Sequence, residues 1–331
     1  MHVVRFASVL VMLLLLGACS EGGKVSVAGV TEPAKAAAGS RSDTTPERKK
    51  IALVMKTLTN PFFIDMEKGA RRAEKELGIE LLVKTASQET SIEQQIQIVE
   101  ELIRMKVDAI AIAPGDSVRL VPVLKSAQEA GIRIVNIDNR LEPETMKKLG
   151  LAHVPFISVD NEKAAYESAR IIAQGVQKPT QAAILEGIRS ADNARQRKAG
   201  AERAFKENPL IKVVATETAN WKIDEGYEVT RHLFSVHPDI GLLFCANDMM
   251  ALGALKYIKE SGRQGVKVAA YDALEDAREA VKSGRMAVTV DQQAAEQGYQ
   301  GILLARRAID GEPLPELVLV ETRLVMAEKL R

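Results

Sequence analysis

Lys50-Ile51-Ala52-Leu53-Val54-Met55 is an aliphatic run without polar alternation, and Asn60-Pro61-Phe62-Phe63 follows it shortly. A strand of that pattern is covered on both faces, as strands are in parallel sheets. Thr57 to Asn60 make the turn. Asn60 suits an N-cap and Pro61 the first helical position, while Phe63, Met66, Ala70, Ala73 and Leu77 recur at helical spacing until Gly78 stops the helix. The expected unit is a buried strand feeding a helix, with a polar cap and two rings at the strand's carboxyl end. Two readings of the rings stand open: Phe62 and Phe63 grip a flat apolar ligand face, or they close the helix against the sheet as core.

The same unit recurs along the chain. Strands are expected at about 50–55, 80–84, 108–113 and 132–137, separated by helices at about 61–77, 91–105 and 117–130. A second set of strands near 157–159, 181–185, 211–216, 240–245, 266–271 and 286–291 alternates with helices near 161–175, 194–207, 224–236, 249–261 and 274–283. A last helix is expected at about 294–310, and Leu141 to Phe156 reads as a loop carrying Pro143 and Pro155. Alternation of this kind makes an α/β fold with doubly wound parallel sheets, and ten strands divide more readily into two lobes than into one sheet.

Ligands of such sheets bind outside the carboxyl ends of the strands. Those ends carry Asn60-Pro61-Phe62-Phe63, Pro114 to Ser117, Asp138-Asn139-Arg140, Ser190 to Arg197, Asn220-Trp221, Asn247-Asp248, Tyr271-Asp272 and Asp291-Gln292. Carboxylates and amides supply fixed acceptors, arginine a forked donor, and Phe and Trp flat faces. That mixture suits a polyol ring, which has hydroxyls at its rim and C–H bonds on its faces.

The 331 residues are 46% apolar and 27% charged with a formal net charge of +1, ordinary globular values without a basic stripe, so no nucleic-acid partner is expected. The first strand-to-helix turn, Lys56 to Pro61, has no Gly-x-Gly-x-x-Gly, and neither a Gly-x-Ser-x-Gly elbow nor a Walker A loop occurs. His2, His153, His232 and His237 are scattered. An enzyme is not the expected reading, and no cofactor or metal is implied.

The amino terminus tells of export. Arg5 precedes an apolar run from Phe6 to Leu16, a secretory signal too short to span a membrane as a mature helix. Leu16-Gly17-Ala18-Cys19 resembles the lipobox of bacterial lipoproteins, which implies lipidation of Cys19 and anchoring to a bacterial membrane, on the periplasmic side in a Gram-negative cell. Residues 20–48 read as a flexible tether with a reach of about 30 Å. Cys245 lies in an apolar strand and reads as a buried, inert thiol.

Leu58-Thr59-Asn60-Pro61-Phe62-Phe63, Phe244 to Ala254 and Ala287-Val288-Thr289-Val290-Asp291-Gln292 together resemble the type I periplasmic sugar-binding proteins of the ribose-binding group. The resemblance runs from about Lys50 to the end. It implies two lobes joined by three crossovers, an N-terminal lobe of 49–158 plus 293–321 and a C-terminal lobe of 159–292 plus 322–331. By the same resemblance Asn60 bonds a hydroxyl, Phe62 and Phe63 pack on one sugar face and Trp221 on the other. Asp138, Asn139, Asn247, Asp272 and Gln292 complete the polar ring, and Arg195 is the expected forked donor with Arg197 as its rival. By position alone Asn60, Asp138, Asn247 and Asp272 are equally caps or turn residues.

Two departures from the family pattern bear on the ligand: Asp138-Asn139 stands where an Asp-Arg pair is usual, and Trp221 replaces a smaller aromatic. The larger ring implies a pyranose or a cyclitol rather than a furanose. The resemblance implies a largely monomeric lipoprotein that captures a monosaccharide or cyclic polyol and delivers it to the permease of an ABC importer. The alternative partner is a chemoreceptor or membrane histidine kinase. A transcription regulator of the same fold would need a helix-turn-helix where this chain has its signal and tether.

Overall fold

The computed structural model describes residues 48–329; Cys19, the signal peptide and the tether up to residue 47 lie outside that range. The first stretch runs β1 (Lys50–Met55), α1 (Pro61–Leu77), β2 (Glu80–Thr85), α2 (Ile92–Met105), β3 (Ala109–Ile112), α3 (Val121–Glu129), β4 (Arg133–Ile137), α4 (Pro143–Leu149) and β5 (Phe156–Ser158). The second runs α5 (Asn161–Ala173), β6 (Thr180–Glu186), α6 (Asp192–Lys206), β7 (Ile211–Thr218), α7 (Ile223–Val236), β8 (Ile240–Cys245), α8 (Asp248–Glu260), β9 (Lys267–Ala269), α9 (Glu275–Lys282) and β10 (Thr289–Asp291). The chain ends with α10 (Ala294–Ile309), β11 (Leu317–Leu319) and β12 (Arg323–Val325).

Two parallel sheets result. One has the order β11-β5-β4-β3-β1-β2 and the other β7-β6-β8-β9, so the expected pair of doubly wound lobes is what forms. The unalternating run of β1 is explained by its central place. Ile51, Leu53 and Met55 belong to the core that includes Phe63, Met66 and Ala70 of α1, whereas Ala52 and Val54 belong to the core with Val99 and Leu102 of α2. All five are fully buried, which no half-exposed strand would allow.

The chain passes between the lobes three times. It leaves the first sheet after β5, returns after β10 so that α10 packs on α1 and on β3 and β4, and adds β11 beside β5. It then crosses back to pair β12 antiparallel with β10, Thr289 opposite Val325.

Local caps fix the helix ends. Asn60 Oδ1 accepts from the Phe62 amide at 3.1 Å, and Gly78 ends α1 at φ 61°. The stretch expected to be a loop between Leu141 and Phe156 holds α4 instead. Glu142 accepts from the Thr145 amide at 2.6 Å, Pro143 opens the helix and Gly150 closes it at φ 71°. No residue of α4 is buried, so its sequence shows no apolar period. The three-residue strands β11 and β12 were also not anticipated, being too short for a pattern. Among the described residues no helix is long and apolar enough to cross a membrane. Cys245 is fully buried, and burial, then the nearby Asp248, pushes its thiol well up.

Candidate functional site

The carboxyl ends of both sheets meet at one pocket. Lys56, Asn60, Phe62, Phe63, Glu89 and Asp138 line it from the first lobe. Asn193, Arg197, Trp221, Asn247, Asp272 and Gln292 line it from the second lobe and the crossover behind it. All but Arg197, which lies within α6, sit where a strand or its following turn gives way to a helix, which is where a parallel sheet leaves backbone groups and side chains free to face a ligand.

Asn60 combines its two readings. While Oδ1 caps α1, Nδ2 donates to Glu89 Oε1 at 2.9 Å across the pocket wall. Phe62 and Phe63 likewise belong both to the core and to the pocket lining, with ring centroids 5.1 Å apart and planes at 83°. Lys56 Nζ lies 2.8 Å from Asp138 Oδ2 and 4.0 Å from Glu89 Oε2, and it faces the Phe63 ring at 5.5 Å and the Trp221 ring at 6.0 Å.

Arg197 is held on every side. Nε donates to Asn161 Oδ1 at 2.8 Å, Nη1 to the Ala246 carbonyl at 2.8 Å and Nη2 to Gln292 Oε1 at 3.3 Å. Its guanidinium stacks on Tyr271 at 3.8 Å and lies 5.5 Å from Trp221, while Nη1 is 3.5 Å from Asp272 Oδ1. Asp272 also accepts from Gln292 Nε2 at 2.7 Å, from a backbone at φ 120° that costs strain in a residue with a side chain.

The strained turn is fastened from behind. Asp248, fully buried, accepts from the Leu274 amide at 2.8 Å and from Thr289 Oγ1 at 2.7 Å, and Thr289 Oγ1 accepts from the Ala273 amide at 3.1 Å. Burial, joined by the Asp272 charge, holds the Asp248 carboxyl well above the usual range.

Trp221 sits in the left-handed region at φ 66° after Asn220 at φ 47°, and its carbonyl accepts from Asn247 Nδ2 at 3.3 Å. Its ring lies flat over Gly187, where an added Cβ would come within 2.0 Å of Cζ2; only glycine leaves that seat. Trp221 Nε1 and Asn193 Oδ1 are buried without a hydrogen-bond partner among the described residues, a donor and an acceptor left for whatever the pocket holds.

Burial of the carboxylates is felt in their proton affinity. It raises Glu89, against the pull of Lys56, and pushes Asp272 up to about 7, against that of Arg197.

Two expected site residues fall elsewhere. Arg195 is not at the pocket: its side chain is 50% exposed, bonded to Asp192 Oδ1 at 3.1 Å and to the Arg189 carbonyl. Ala194, Arg197, Ala201, Ala204 and Phe205 form the buried face of α6, so its helical period places Arg197 inward and Arg195 outward. Asn139 is fully buried beside the pocket but does not line it; its amide bonds the Pro114 carbonyl at 3.0 Å and the Asn193 amide at 3.2 Å. Lys56, Glu89 and Asn193 were missed. Lys56 directly follows β1, a signal at hand, whereas nothing local marks Glu89.

This geometry has relatives. The chain matches the periplasmic binding protein domain family over residues 51–313. It belongs to that family. As a periplasmic binding protein it is a carrier of solute and not an enzyme. It is 41% identical over 273 residues to a D-ribose/D-allose-binding protein of Pseudomonas aeruginosa, spanning 81% of this chain and 84% of that one. It is 33% identical over 284 residues to the D-allose-binding periplasmic protein of Escherichia coli, spanning 83% and 91%. A solute-binding protein of an ABC transporter from Actinobacillus succinogenes, solved with bound D-allose, superposes with a TM-score of 0.80 at 38% identity, covering 85% of this chain and 99% of that one.

Proposed function

We propose that this periplasmic binding protein captures a monosaccharide between its lobes outside the cytoplasmic membrane and hands it to an ABC importer. The observation that carries the reading is the convergence, from the strand ends of both lobes, of three rings with a ring of carboxylates, amides and paired cations. Rings pack on sugar C–H faces, and the polar groups exchange their mutual hydrogen bonds for hydroxyls of similar geometry. The free space among these groups, about 20 Å³, is room for about one water, so a sugar enters only if the lobes part. We assign the moving bodies as 49–158 plus 293–321 and 159–292 plus 322–331, hinged at the three crossovers.

An aldose in its pyranose form is the expected ligand, with D-allose and D-ribose, the sugars named for the Pseudomonas relative, as first choices. Isothermal titration with D-allose, D-ribose, xylitol and myo-inositol tests this. Micromolar or tighter binding of an aldose is expected, and a response to the cyclitol alone would replace the sugar reading. Lipidation at Cys19 is supported by Leu16-Gly17-Ala18-Cys19. Cys19→Ser is expected to release the protein from the membrane fraction, and retention there would refute the anchor.

A further inference from the structure

The amino end of α6 lacks a cap of its own. Its N-cap position is Ala191, extended at φ −87° and ψ 132°, whose methyl group can accept nothing from the first turn. The two amides that follow are nevertheless bonded, and both acceptors belong to the other lobe. Asp192 N–H donates to Ser117 Oγ at 3.0 Å and Asn193 N–H to Asn139 Oδ1 at 3.2 Å. Two more bonds join the same edges: Ser117 N–H to the Ser190 carbonyl at 3.3 Å, and Asn193 Nδ2 to Asp138 Oδ1 at 3.2 Å.

The acceptors are rigidly mounted. Ser117 and Asn139 are fully buried, and Ser117 Oγ lies 3.4 Å from Asn139 Oδ1. The Ser117 carbonyl accepts from the Glu142 amide at 2.8 Å, and the Asn139 carbonyl from Asn136 Nδ2 at 2.8 Å. α6, in turn, presents Asn193 and Arg197 to the pocket.

We propose that Ser117 and Asn139 are positioning residues that set ligand affinity by capping α6 from the opposite lobe, so that closing the lobes completes the helix that carries Arg197. The proposal rests on the reading that the lobes close over a sugar. Opening gives the two amides back to water, and closing recovers an oriented cap of the kind whose loss ordinarily weakens a helix. The closed state thus has a favourable contribution that does not depend on which sugar is held. Ligand affinity scales with the population of that state.

The test is Ser117→Ala, with Asn139→Ala as a second variant, titrated with D-allose and D-ribose and followed by stopped-flow fluorescence. Removing the cap is expected to weaken both sugars by the same factor, about three- to tenfold, through faster dissociation, with association within about twofold of wild type. Unchanged affinities, or a loss confined to one sugar, would overturn the proposal, the latter marking a direct contact. If the wild type binds neither sugar, the sugar reading fails and the cap is judged in the ligand-free protein. There amide hydrogen exchange is expected to be faster than in wild type at Asp192 in Ser117→Ala and at Asn193 in Asn139→Ala, with the middle of α6 unaltered. Exchange equal to wild type at both amides would overturn it.

Discussion

Lys56 Nζ and Asp138 Oδ2 form an ion pair at 2.8 Å in which each side chain is only 3% exposed. The pair joins the ends of β1 and β4, and Glu89 stands 4.0 Å from the same ammonium. Lys56→Met would leave two buried carboxylates without their cation, and a loss of about 3–5 kcal/mol of stability is expected. Urea unfolding at pH 7 measures it. The double variant Lys56→Met, Asp138→Asn is expected to recover part of that loss, because the groups are coupled.

Arg197 and Arg195, two residues apart on one helix, are expected to behave oppositely. Arg197→Ala breaks three hydrogen bonds and the stack on Tyr271, leaving the Ala246 carbonyl and Asp272 uncompensated; sugar affinity is expected to fall at least about a hundredfold. Arg197→Lys should not restore it, since an ammonium cannot reproduce the fork. Arg195→Ala is expected to leave affinity unchanged and stability within about 0.5 kcal/mol. Titration calorimetry on the three variants decides.

Asp272 gives stability a pH dependence of defined sign. Its folded value, pushed up to about 7 by burial, exceeds the ordinary value of about 3.9 of an unfolded chain, so between those limits the folded state holds the extra proton. The contribution is therefore complete below about pH 4 and is lost as pH rises through about 7. Relative to Asp272→Asn, the wild type is expected to lose about 1–3 kcal/mol between pH 5 and pH 8. Unfolding of both proteins at the two pH values checks it, and a pH-independent difference would count against the raised carboxyl.

Gly187→Ala is expected to act on the pocket through Trp221. The new methyl would overlap the indole, so the ring must leave its seat, at a cost of about 1–3 kcal/mol in stability. Trp221 is the sole tryptophan, so its emission reports the displacement directly. A red-shifted spectrum together with weakened sugar binding is expected.

The fold was largely legible because parallel strands buried on both faces write an unbroken aliphatic run, as Ile51 to Met55 do, and amphipathic helices write their period. Where burial is absent the signal fails. α4 has no fully buried residue and its stretch reads as loop, although Pro143 and Gly150 mark its ends. The strand-end residues that line the pocket were legible for the same reason as the strands. Arg197 required the period of α6 to be followed through Ala194 and Ala201, and Glu89 required knowing which turn β2 brings beside Asn60, information held only by the sheet order.

The three crossings between the sheets also bear on how the molecule is made. The amino-terminal lobe has five of its strands early, but α10, which covers β3 and β4, and β11, which protects the edge at β5, are encoded after all of the second lobe except β12. Synthesis therefore leaves an uncovered sheet face and an open strand edge waiting until nearly the last residues emerge. The lobe that begins first is completed only after nearly all of the second has been made, and a nascent or prematurely truncated chain would expose the surfaces by which unfinished sheets associate.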